Sequence, residues 1–175
     1  MVYRYAMGIM LLIALNTTAQ IHYRPVSLPD TATLHLTEIY YPVDGVLISG
    51  HGYRNGRIHH GLDISHNNRD TVYSSWLGRV RYAKKGYNGG YGYLVIVTHL
   101  NGLETYYAHL RQLLVNEGDW IPQGHAIGIV GSTGNSLGPH LHYEIRYQGL
   151  SIDPKDVVGE HTIHLHRSGN TFKVK

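Results

Sequence analysis

The chain has no cysteine in its 175 residues. That excludes both a disulfide framework and a lipid carried on an N-terminal cysteine, and leaves the apolar core to carry stability. Lys and Arg form no run, and a net charge of +3 with a pI near 9.0 is a mild bias, so a nucleic-acid-binding arm is excluded. Long apolar runs are scarce too. The best, Ala6 to Leu15, falls well short of the roughly 20 residues that span a bilayer. Phenylalanine occurs once against fifteen tyrosines, so most aromatic rings carry a polar rim. No stretch has the period of a three-turn amphipathic helix, which excludes a helical bundle.

What is present begins with an export signal: Arg4 precedes the Ala6–Leu15 stretch, and Thr17-Thr18-Ala19 is a small-residue exit, placing cleavage after Ala19 or Gln20. The mature protein is then expected outside the cytoplasm, periplasmic or secreted, with no membrane span. Residues 20–38, punctuated by Pro25, Pro29 and Asp30, read as a lead-in, and one domain follows from 39 to 158, with a tail over 159–175. Within the domain, short β-rich runs alternate with Gly, Asn and Pro clusters: Val46–Ser49, Thr71–Ser74, Gly78–Ala83, Tyr93–His99, Glu104–Leu110, Ala126–Gly131 and His140–Tyr147. An all-β, β-dominated fold is predicted. Asn101-Gly102 signals a hairpin with a type I′ turn, placing His109 at the end of the returning strand.

Fourteen histidines are the largest anomaly, and several fall at metal-binding spacings. His59-His60-Gly61-Leu62-Asp63 offers an imidazole and a carboxylate four apart, and His140-Leu141-His142 puts two imidazoles on one face of a strand. With His109 in Tyr106-Tyr107-Ala108-His109-Leu110, the inventory is that of a mononuclear zinc hydrolase: three ligands, an open position for water, and two histidines left to handle protons. Either His59 or His60 could serve; His59 is favoured because it alone stands four before Asp63. Tyr53 is a candidate hydroxyl donor or a packing residue, and His51 a groove residue, a partner of a ligand or a surface histidine. A second His-Leu-His, His164 to His166, with His161 nearby, reads as a polar terminal strand with incidental histidines, or as an accessory metal site.

The blocks Ser49-Gly50-His51-Gly52-Tyr53-Arg54, His59 to Ile64, Tyr106 to Leu110 and Gly131 to Glu144 resemble the signatures of the lysostaphin/LytM-type zinc metallopeptidases, family M23, over roughly Tyr41 to Val158. The resemblance implies a compact antiparallel, barrel-like β-sheet domain with one zinc in a groove. It implies His59, Asp63 and His142 as zinc ligands and His109 and His140 as catalytic histidines. Bacterial peptidoglycan is the implied substrate, hydrolysed at peptide cross-links or stems by a monomer; the alternative is a non-catalytic regulator that binds peptidoglycan. The groove loops are expected at Arg79–Asn88 and Ser132–Leu137. Val115 to Gly128 also resembles a biotinyl carrier hairpin, but no lysine lies between Lys85 and Lys155 to carry the cofactor.

Overall fold

The computed structural model describes residues 29–36, 39–54, 56–65 and 70–174, and the expected export signal lies outside them. Among these residues run β1 (Thr31–His35), β2 (Val46–Ser49), β3 (Gly52–Arg54), β4 (Arg57–His59), β5 (Leu62–Ser65), β6 (Thr71–Tyr73), β7 (Gly78–Lys84) and β8 (Tyr93–Thr98). They continue with β9 (Leu103–Leu110), β10 (Gln112–Leu113), β11 (Trp120–Ile121), β12 (Ala126–Ile129), β13 (His140–Tyr147), β14 (Leu150–Ile152), β15 (Thr162–Ser168) and β16 (Thr171–Val174). Two 3₁₀ turns, Asn88–Gly90 and Pro154–Asp156, are the only helical elements described, so the fold is all-β.

Eleven strands share one sheet along the path β1-β15-β16-β14-β13-β9-β8-β7-β11, with β5 and β2 branching from β13. A barrel would require the two end strands to share a ladder. Here the path ends at β1 and β11, which do not pair, so the sheet is open and the barrel-like expectation is corrected. β14 and β16 run parallel, which makes the sheet mixed.

β13 organises the site. Its alternation sends Leu141, Tyr143 and Ile145 into the core, all fully buried, and His140, His142, Glu144 and Arg146 to the opposite face. One edge pairs with β9, placing Ala108 opposite His142 and Tyr106 opposite Glu144. The other edge is divided: its first half pairs with β5, setting Asp63 opposite His142, and its second half pairs with β14. On the core face Tyr143 meets Tyr107, ring centroids 5.5 Å apart.

The Asn101-Gly102 hairpin forms, but not with a type I′ turn. Gly102 has φ +83° while Asn101 is not among the residues of positive φ. The Gly102 amide donates to His99 O at 3.0 Å, so Leu100 and Asn101 are the central residues and Gly102 takes the left-handed position of a longer loop. The Asn101 carboxamide oxygen accepts from the Leu103 amide at 3.1 Å, which stabilises that turn.

The lead-in and tail segments both contribute to the main sheet. β1 pairs antiparallel with β15, and Leu34 on β1 joins Ile163 and Leu165 on β15 in the core. His164 and His166 point to the other, exposed face. His164 Nδ1 lies 3.1 Å from Thr33 Oγ1.

Candidate metal centre and groove

Asp63, His59 and His142 reach one point by different routes. Asp63 and His142 are direct cross-strand neighbours on β5 and β13. His59 ends β4, in a separate two-stranded sheet, and the chain bends at His60 and Gly61 before β5 begins. The two candidate ligands of the motif thus stand on different strands, with a bend between them. Gly61 is required by close packing: a Cβ there would lie 2.1 Å from Tyr143 O.

His59 Nε2 and Asp63 Oδ1 stand 3.1 Å apart, His59 Nε2 and His142 Nδ1 3.1 Å, and His142 Nδ1 and Asp63 Oδ1 2.7 Å. Among the described residues this is the one group of three or more such donors within 4.8 Å of one another. The rear nitrogens are engaged elsewhere. His59 Nδ1 donates to Gly50 O at 2.6 Å, and His142 Nε2 donates to Glu144 Oε1 at 2.8 Å. Each imidazole therefore presents its other nitrogen to the shared point, a donor set of two nitrogens and one carboxylate oxygen that fits zinc.

Charge balance at that point is tight. Burial opposes charge on His142, but its hydrogen bonds to Asp63 and Glu144 raise its pKa to about 9. Burial also works against ionised Asp63, yet the His142 and His59 imidazoles beside it hold its carboxyl well below the usual carboxylate range. In the absence of a cation, a proton on His142 Nδ1 relieves the repulsion among these atoms.

Glu144 was missed by sequence reasoning. It is fully buried, with Oε1 also accepting from Tyr91 Oη at 2.9 Å and Oε2 from Arg146 Nε at 2.5 Å. Arg146 donates on to Tyr91 Oη at 2.9 Å and lies over the Tyr106 ring, 4.6 Å from its centroid. The signal available in sequence was the polar alternation His140, His142, Glu144, Arg146 along one strand face.

His109 reaches the site through a bulge. Tyr93 pairs with Leu110 and Val95 with Tyr107, so β9 carries one extra residue here. His109 has φ +60°. Strand parity would send its side chain to the core; the bulge turns it to lie 4.8 Å from the His140 ring and 5.8 Å from the His142 ring, centroid to centroid. His109 Nδ1 donates to Thr133 O at 2.7 Å, and His140 Nδ1 to Gly138 O at 2.8 Å, leaving each Nε2 an acceptor. His140 Nε2 is 3.8 Å from Asp63 Oδ1. Burial pushes the His109 pKa down to about 4, against the Thr133 carbonyl and reinforced by His140 and His142, so the ring is neutral at neutral pH.

The loop carrying Thr133 packs closely against Gly90 and Gly92. A Cβ on Gly134, at φ +71°, would lie 2.3 Å from Gly90 O, whereas one on Gly138 would meet nothing within 4 Å. These parts enclose an open groove of about 720 Å³. Its walls include Asn135 and Leu137 from the expected loop Ser132–Leu137. On the other side they begin at Gly89, because most of Arg79–Asn88 is strand β7. Tyr53 is 76% exposed and does not line the groove. His60 Nδ1 and His51 Nε2 both lie 3.0 Å from the buried Ser151 Oγ, outside the three-donor group.

A set of two imidazoles and a carboxylate, His142 buried and His59 and Asp63 half-buried, on the floor of an open groove in an all-β domain is the arrangement of a mononuclear metal-site domain. The chain belongs to Peptidase family M23, whose sequence profile it matches over residues 57–154. It is 45% identical over 101 residues to the DD-carboxypeptidase/endopeptidase Mpg of Neisseria meningitidis serogroup B, an alignment covering 58% of this chain and 23% of that protein. Over 114 residues it is 37% identical to the murein hydrolase activator NlpD of Salmonella dublin, covering 65% of this chain and 29% of that one. A zinc-containing peptidase from Vibrio cholerae superimposes with a TM-score of 0.61 at 30% identity, covering 67% of this chain and 39% of that one. The chain thus spans about a quarter of the length of those two curated relatives.

Proposed function

We propose that this chain is an exported, monomeric, zinc-dependent endopeptidase that hydrolyses peptide cross-links or stems of bacterial peptidoglycan. The observation that carries the reading is the convergence of His59 Nε2, Asp63 Oδ1 and His142 Nδ1 in one groove with His109 and His140, each anchored through Nδ1 on a backbone carbonyl. His59, Asp63 and His142 are the proposed ligands. Bound there, zinc supplies a Lewis acid that polarises a carbonyl and lowers the pKa of water.

The chain's own groups do the rest. Glu144 holds the His142 Nε2 proton, which keeps Nδ1 turned to the metal position. His109, neutral at working pH, accepts a hydrogen bond from the attacking water at Nε2 and orients it. His140, whose Nε2 is free to accept, takes the proton released by the attacking water and passes it to the leaving amine. Its ring is braced by Gly138 O and by Ser136 Oγ at 3.2 Å. Similarity to a murein hydrolase activator favours a second reading, a peptidoglycan-binding regulator without hydrolysis.

Mass spectrometry of fragments released from purified peptidoglycan separates the two. The peptidase reading expects peptide-bond products with zinc that disappear with a chelator and with His142→Ala. Binding to peptidoglycan by zinc-loaded protein with no fragment released from any cross-link type would establish the regulator.

A further inference from the structure

Arg54 is the only Arg or Lys lining the groove among the described residues. It closes β3, and its NH2 group lies 3.4 Å from Asp63 Oδ2, the oxygen of that carboxylate not shared with the two histidines. Its NH1 group donates to Ser49 Oγ. The side chain is 48% exposed, and the rest of its five-donor fork has no partner among the described residues. A guanidinium cation thus stands one carboxylate away from the three converging atoms, with donors to spare and apolar Ile48 and Ile58 lining the groove with it.

Neither acid in the groove needs that cation. Asp63 Oδ1 already lies 2.7 Å from His142 Nδ1 and 3.1 Å from His59 Nε2, at the point where the three donors converge, and buried Glu144 is bonded by His142, Tyr91 and Arg146. Free guanidinium donors pair best, in a bidentate fork, with a carboxylate. In peptide hydrolysis the acyl carbon–nitrogen bond breaks, the hydroxyl of water stays on the acyl carbon and a proton goes to the leaving nitrogen. A carboxylate near that bond can sit on the carbon bearing the leaving nitrogen. This is so where a D-alanyl carbonyl is joined to the carboxylate-bearing centre of a diamino acid, and not where it is joined to a glycine bridge, whose next group is an amide.

Building on the peptidase reading, we propose that Arg54 is a specificity-determining residue that binds a carboxylate on the leaving-amine side, so that the groove selects direct cross-links over glycine bridges. The test uses two cross-linked tetrapeptide dimers, alike except that the carbon bearing the leaving nitrogen carries a carboxylate in one and a carboxamide in the other. Zinc-loaded wild-type chain is expected to prefer the acid in kcat/KM by about tenfold to a hundredfold, the range of a charge-assisted hydrogen bond. Arg54→Gln brings the ratio to within about twofold, and Arg54→Lys, which keeps the charge and loses the fork, falls between.

Equal rates on both dimers with the wild type, or an acid preference that survives Arg54→Gln, would overturn the proposal. Zinc content is measured for each variant because Arg54 also touches Asp63; if Arg54→Gln does not load, the wild-type ratio and Arg54→Lys decide. Failure to cleave either dimer while zinc is bound would instead remove the peptidase reading on which the proposal rests.

Discussion

At the scale of single residues, the site separates groups that hold from groups that move protons. His142→Ala removes a donor at the point where three converge and should lose zinc and hydrolysis together, read by metal analysis and product release. His109→Ala and His140→Ala should keep most of the metal and lose turnover, since neither is in the three-donor group. Glu144→Gln keeps the shape and removes the charge that fixes the His142 tautomer; zinc affinity should fall by about tenfold to a hundredfold in a chelator competition. Its bonds to Tyr91 and Arg146, made from a fully buried position, make this residue more than a spectator.

At the scale of elements, the site depends on how β5, β9 and β13 are aligned. Gly61 is the contact that lets β5 lie against β13, and Gly61→Ala should destabilise the domain by about 3 kcal/mol or more, as overpacking against backbone does, with a lower Tm as the readout. Zinc affinity should fall with it, because Asp63 follows Gly61 by two residues. The bulge in β9 carries the opposite lesson: an ordinary strand would bury His109 on the core face, and one extra residue re-aims it while Leu110 returns to the core.

At the scale of the whole molecule, the sheet extends beyond the residues that carry the motifs. β1 covers β15, so removing residues up to 38 would uncover Ile163 and Leu165 and discard the burial of Leu34 and Leu36. At roughly 1.5–3 kcal/mol for each buried leucine the Tm should fall by about 10 °C, with exposure of an unpaired edge promoting aggregation, measurable by thermal unfolding and light scattering. Stability should also respond to pH. Burial depresses the pKa of His99 and of His109, the latter to about 4, so their contribution is present above about 6.5 and is lost as pH falls. For His142, raised to about 9 despite its burial by bonds to Asp63 and Glu144, the contribution is full below about 6.5 and is lost as pH rises through 9. The metal-free protein should therefore be most stable near pH 6.5, and a Tm series from pH 4 to 10 with chelator present checks the two limbs.

The sequence alone determined the all-β class, the full extents of β2 and β13, and the types of residue that could share a metal, because strand alternation, turn residues and donor chemistry are local properties. It also named the five histidine and aspartate residues that the fold brings into one groove. Only the tertiary structure decided that Asp63 faces His142 across a ladder, that His59 rather than His60 turns its Nε2 to them, and that a bulge aims His109 inward. The open end of the sheet, the contribution of β1 and the burial of Glu144 belong to the same set. The physical reason is register: a two-residue period fixes which side chains share a face of one strand, but which strands lie side by side, and at what offset, is settled by hydrogen bonds between distant segments.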